Sequence, residues 1–142
     1  SGGQIVAGDD GINVNALAFT GNVTNAGIID GTSIVDGIEL DVTTFTGNVT
    51  NSGRIGNTGT AYVGGNGMDI DGTTLTGSIL NSGSIYADGD GIVVGSAVSG
   101  SVTNDGTIFA DANNGGGGTG IDINGTVGGV LVARLNVIPP LR

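Results

Sequence analysis

The sequence predicts an all-β chain wound as a three-faced parallel β-helix, a β-solenoid of about 4–5 turns of 24–30 residues. Three observations predict it. The segment Gly21-Asn22-Val23-Thr24-Asn25-Ala26-Gly27 returns at Gly47–Gly53, Gly77–Gly83 and Gly100–Gly106 with the same apolar, Asn and Gly positions. A second phrase, Gly-apolar-x-apolar, starts at Gly11, Gly37, Gly67, Gly91 and Gly120, spaced 26, 30, 24 and 29 residues apart. Within every unit the apolar residues alternate with a period of two, the mark of half-buried strands.

Each unit contains three short runs. The first turns Ile12, Ile38, Met68, Ile92 and Ile121 to one side, with Val14, Leu40, Ile70, Val94 and Ile123 two residues on. A second run offers Phe19, Phe45, Leu75, Val98 and Val127, then Val23, Val49, Ile79, Val102 and Val130. The third offers Ile5, Ile29, Ile55, Ile85 and Ile108. No 3.6-residue period competes, and 31 glycines argue against helix. One such unit buries too little to fold alone, so stacking must bring like residues into columns. At the rise of about 4.8 Å per turn the rod is about 25 Å long.

Asn25, Asn51, Asn81 and Asn104 form the most informative column, a structural Asn ladder. An inward Asn at a sharp bend can bond its own backbone and the amide on the next turn, satisfying groups that the bend strands. Gly27, Gly53, Gly83 and Gly106 follow two residues later, where positive φ or a close chain approach is needed. The repeat gives a solenoid domain over residues 1–133, starting in mid-turn, and a non-repeat tail over residues 134–142. Val132 stands where the column Asn is expected.

Composition narrows function more than it defines it. There is no Cys, His, Trp or Lys, which removes thiol chemistry, Cys-based zinc sites and the usual general bases. Net charge is −10, a surface that repels nucleic acid and anionic membranes. No stretch has the roughly 18 apolar residues of a membrane span, so membrane insertion is not expected. The chain opens Ser1-Gly2-Gly3 without a leader pattern, so an exported form would be a mature protein or a fragment.

With their G-x-V-T-N-x-G-x-I and G-I-x-V phrases, the units resemble the β-strand repeats of bacterial autotransporter passenger domains and related surface adhesins. The resemblance runs from about residue 3 to 132. It implies a right-handed parallel β-helix, bacterial origin, and secretion or display at the cell surface. Passengers are usually far longer, and the membrane barrel that follows them is not in this sequence.

Function is expected from the places where the repeat breaks. Unit length varies at one corner, through Asn57–Asn66 and Asp111–Thr119, making Tyr62, Val63, Asn113 and Asn114 possible binding-loop residues for a host or neighbouring-cell ligand. Neutral drift in an exposed turn explains the same insertions. All thirteen acids and Arg54 precede residue 134, so the body carries −12 and the tail +2. The tail's Arg134, Leu135, Val137, Ile138, Leu141 and Arg142 are the expected assembly residues, a cap for their own end or a clasp on another copy. A solenoid has open ends with unpaired backbone groups, and head-to-tail contact that does not close gives a filament. The leading expectation is therefore a non-catalytic extracellular structural protein, stacking into a bacterial surface filament or sheath by self-association. The alternative is an adhesin segment that binds through its corner loops.

Chemistry at the acids is the remaining possibility. Glu39, Asp69 and Asp122 share an outward column, and Asp41 and Asp71 share the next, giving weak calcium candidates. A solvated acidic face that discourages lateral aggregation accounts for them without an ion, and no cofactor is expected. Gly64-Gly65-Asn66-Gly67-Met68-Asp69 and Gly117-Gly118-Thr119-Gly120-Ile121-Asp122 match the opening of a calcium-binding nonapeptide, but only singly. Asp69 and Asp71, about 7 Å apart on one strand, recommend a polysaccharide-acting enzyme only remotely, since no His, Lys or aromatic cleft accompanies them. Thr44-x-Thr46 and Thr74-x-Thr76 form a broken Thr array, best read as cross-strand pairing.

Overall fold

A computed structural model describes residues 3–30, 35–57, 63–110 and 118–133. Tyr62, Asn113, Asn114 and the whole tail lie outside the described residues. The described chain forms sixteen strands and no helix, wound as a three-faced parallel β-solenoid. The first rung is β1 (Gln4–Val6), β2 (Ile12–Thr20) and β3 (Val23–Asn25), and the second is β4 (Ile28–Asp30), β5 (Ile38–Thr46) and β6 (Val49–Asn51). The third is β7 (Arg54–Ile55), β8 (Met68–Thr76) and β9 (Ile79–Asn81). The fourth is β10 (Ser84–Ala87), β11 (Ile92–Val94), β12 (Ala97–Val98) and β13 (Val102–Asn104). The fifth is β14 (Thr107–Ala110), β15 (Ile121–Ile123) and β16 (Leu131–Ala133). Five rungs make about four full turns from first strand to last.

Every strand pairs in parallel with its equivalent one rung away, giving sheets ordered β1-β4-β7-β10-β14, β2-β5-β8-β11-β15 and β3-β6-β9-β13-β16. The registers place Ile5, Ile29, Ile55, Ile85 and Ile108 in one line, and Ile12, Ile38, Met68, Ile92 and Ile121 in another. Side chains in the middle rungs, such as Ile29, Ile55, Met68 and Ile85, are fully buried. Phe19 and Phe45 stack with ring centroids 5.3 Å apart.

Two sequence expectations need correction. The run assigned to both Phe19 and Val23 is split by the structure. Phe19, Phe45 and Leu75 close the nine-residue strands β2, β5 and β8, whereas Val23, Val49 and Ile79 open the third face. Glycine makes that division: Gly21, Gly47 and Gly77 hold φ of 145–149°, which other residues rarely adopt. In β5, Val42 and Phe45 are both buried while Thr43 and Thr44 both face out, so the alternation shifts within the strand.

The second correction concerns the last rung. Leu131, not Val130, pairs with Val102, and Ala133, not Val132, pairs with Asn104. The four-residue spacing from Phe19 to Val23 is kept from Val127 to Leu131, and Val127 bridges Val98. Val130 is 60% exposed.

Candidate functional site

Side-chain ladders stitch all three corners of the coil. At the inner one, Asn25 Nδ2 donates to Asn51 Oδ1 at 2.8 Å, Asn51 to Asn81 at 2.8 Å, and Asn81 to Asn104 at 2.7 Å. All four are buried. Asn25 Nδ2 also donates to the Arg54 carbonyl at 3.1 Å, and Asn25 Oδ1 accepts from the Gly27 amide at 3.1 Å. The ladder predicted from sequence is thus in line, and Ala133 ends it because a methyl group can accept nothing.

Two more ladders were not foreseen. At the corner before the Gly-apolar phrase, Asp10 Oδ1 accepts the Asp36 amide at 3.1 Å and Asp36 Oδ1 the Asn66 amide at 2.5 Å. Asn66 Oδ1 then accepts the Asp90 amide at 2.9 Å, and Asp90 Oδ1 the Thr119 amide at 2.5 Å. At the third corner Asn22 Oδ1 accepts the Asn48 backbone amide and Asn48 Oδ1 the Ser78 backbone amide, each at 2.9 Å. Ser78 and Ser101 hydroxyls continue it to the Ser101 and Val130 amides at 3.1 and 3.0 Å. The signal was present as Asp-Gly or Asn-Gly at residues 10, 36, 66 and 90, and as Asn or Ser after Gly21, Gly47, Gly77 and Gly100.

The first of these corners is acidic. Glu39 pairs in register with Asp69, and Asp41 with Asp71, so both adjacencies expected from sequence hold. Asp122 is separated from Asp69 by Val93, so it does not adjoin the other two acids of its column. Asn13 Nδ2 donates to Asp10 Oδ2 at 2.8 Å and also to Glu39, while Asn15 Nδ2 reaches Asp41 at 3.2 Å. Asp69 Oδ2 accepts from Asn66 Nδ2 at 2.7 Å, and its Oδ1 is buried without a hydrogen-bond partner.

These contacts set the protonation of the corner. Glu39 is pushed up to about 7, first by its hydrogen bond with Asp10, then by burial and the fields of Asp10, Asp36 and Asp69. Burial raises Asp36, with Asp10 adding to the effect, and burial likewise raises Asp69, with Asp71, Asp36 and Asp90 adding. For Asp10 burial acts upward, but hydrogen bonds from Asn13, Glu39 and the Asp36 amide outweigh it and lower the carboxyl. In this pair Glu39 therefore keeps its proton to higher pH while Asp10 is the ionised acceptor. Among the described residues no group of three or more acids gathers closely enough to hold a metal ion.

The other predicted residues are placed as follows. Val63 is fully buried and bridges Ala87, so it belongs to the core and is not available to a ligand. Thr44 lies over Thr74 and Thr46 over Thr76, with Ala18 and Ala97 flanking the first column. Asp69 and Asp71 are two residues apart in β8, and the Asp71 carboxylate fills the space that a Cβ on Gly95 of the next rung would need.

The two ends of the coil differ from its middle. Of the seven large apolar residues that stand exposed among the described residues, six belong to the first or fifth rung or the turn leading to it: Ile5, Val6, Leu17, Phe109, Val130 and Leu131. A concavity of about 270 Å³ lies over Asn25 at the first rung, lined by Gly3, Gln4, Ile5, Thr24 and Gly27 among others. Among the described residues no helix is long and apolar enough to cross a membrane. Comparison with protein-family models, with curated proteins and with solved structures finds no match to this chain.

Proposed function

We propose that this chain is a non-catalytic structural subunit that stacks end to end, burying its open rungs against further copies in an extracellular filament. The observation that carries the proposal is the concentration of exposed apolar bulk at the first and last rungs, six of the seven such residues among those described, Val35 being the other. Ile5 is 39% exposed, whereas its equivalents Ile29, Ile55 and Ile85 are fully buried. A further rung would remove such surface from water and pair the outer backbone groups of β1, β2 and β3.

The tail is suited to act as the clasp. Four residues separate the Asn column from the Ile column in every rung, as in Asn25 and Ile29 or Asn81 and Ile85. Counting four from Ala133 reaches Val137, so Asn136-Val137-Ile138 repeats the pattern of Gln4-Ile5-Val6. In the proposed assembly this segment engages the next copy beside β1, which is exposed at all three residues and held by three register pairs. The tail's +2 charge meets an acidic body.

Size-exclusion chromatography and negative-stain microscopy test the reading. Long, thin polymers are expected from the 142-residue chain, and shorter ones or none after deletion of residues 134–142. A monodisperse monomer over a wide concentration range overturns it. Corner loops on an adhesive rod remain the second reading, resting on the variable corner between β7 and β8 and between β14 and β15.

A further inference from the structure

The columns continue, in principle, past both ends, and their chemistry differs between the two. On the second face the outward column reads Asn13, Glu39, Asp69, Val93 and Asp122 from first rung to fifth. Its neighbour begins with Asn15, Asp41 and Asp71 and reaches Asn124 just after β15. The first rung therefore presents neutral amides where the second and third carry carboxylates. Inside the molecule these amides already serve carboxylates: Asn13 donates to Glu39 and to Asp10, and Asn15 to Asp41. At the other end, on the last described rung, Asp122 accepts from Asn124 Nδ2 at 3.0 Å.

Resting on the end-to-end reading, we propose that the fifth rung of one copy docks in parallel register on the first rung of the next. In this junction β15 lies over β2, with Asp122 beside Asn13 and Asn124 beside Asn15. On the third face β16 lies over β3, with Leu131 beside Val23, Val132 beside Thr24 and Ala133 over Asn25. Each pairing follows from extending a register by one step. No carboxylate in either outward column then meets another across the junction, although such pairs occur inside the molecule at Glu39–Asp69 and Asp41–Asp71. Joining two fifth rungs would instead bring Asp122 toward its own counterpart. Apolar Leu131, 53% exposed, lands on the line of Val23, Val49 and Ile79. The junction thus sets no carboxylate against another on the outside, is apolar inside, and is directional.

The absence of native cysteine makes the register directly measurable. The double variant Asn13→Cys with Asp122→Cys sets its thiols four rungs apart in one copy, about 19 Å, too far to bridge. Across the junction they fall about 4.8 Å apart at Cα, within disulfide reach. Mild oxidation should give a ladder of covalent oligomers on a non-reducing denaturing gel. Product should exceed by about tenfold that from the displaced pair Asn13→Cys with Asn124→Cys. Thr24→Cys with Val132→Cys reports the same register on the third face should the first pair disturb folding. Polymers seen by microscopy with no ladder from either in-register pair, or with equal ladders from the displaced pair, overturn the register while stacking stands. Absence of both polymers and ladders overturns stacking as well.

Discussion

A single buried amide does two jobs in this molecule, and its loss should be felt on both neighbours. Asn51 receives from Asn25 and donates to Asn81, so Asn51→Ala leaves both partners short in a dry interior. The expected cost is about 2–3 kcal/mol, read as a lower denaturant midpoint. Close approach matters as much as polarity. A Cβ on Gly53 would fall on the Gly27 carbonyl oxygen, so Gly53→Ala must push two rungs apart and should destabilise by about 3 kcal/mol. Protonation is the third effect at this scale. The folded state raises Glu39 to about 7, so the stability it contributes is present below its ordinary range and lost as pH rises through about 7. Asp36 and Asp69, also raised, act in the same direction, while Asp10, lowered, opposes them only in stronger acid. The corner is open enough for solvent to screen much of this. The melting midpoint should therefore be higher at pH 5 than at pH 8 by about 2–4 °C, and Glu39→Gln should remove most of the difference.

Among the elements, position in the stack decides what a side chain contributes. Ile55 and Ile5 belong to one column, yet Ile55 is fully buried and Ile5 is not. Ile55→Ala should cost about 3 kcal/mol in chemical unfolding, and Ile5→Ala roughly 1 kcal/mol or less. Strand identity was legible in the sequence because alternation and fixed Gly and Asn landmarks agree over five units. Face boundaries were less so. Phe19 and Val23 read as one run, since four residues of spacing look alike whether the chain continues or turns, and only the backbone of Gly21 separates them. The same ambiguity misplaced Val130 for Leu131, where two apolar residues compete and spacing decides. The Asn ladder was legible because its residues repeat identically. The acidic corner ladder was not, because Asp and Asn exchange along it and only the acceptor role of their side-chain oxygens unites them, with Thr119 closing it through its amide alone.

Among the described residues, the middle rungs are closely buried and the first and last are the more exposed. Three polar ladders and a continuous apolar filling leave little in the central rungs for another molecule to complete. The ends retain exposed apolar bulk and a concavity over Asn25. Ala133→Asn would carry an amide to the terminal rung and offer a donor to Asn25 of the next copy. Under the stacking model this variant should lower the concentration at which polymers form, as measured by light scattering, and it should not do so if the ends never meet.

Because each coil is keyed to its neighbours by position alone, the rod behaves as a ruler with discrete graduations. Duplicating or excising one complete coil at the Asn–Gly landmarks changes its reach by about 4.8 Å and leaves every remaining key intact. A change of half a coil would misalign all three edges at once, so variation in length is confined to whole graduations.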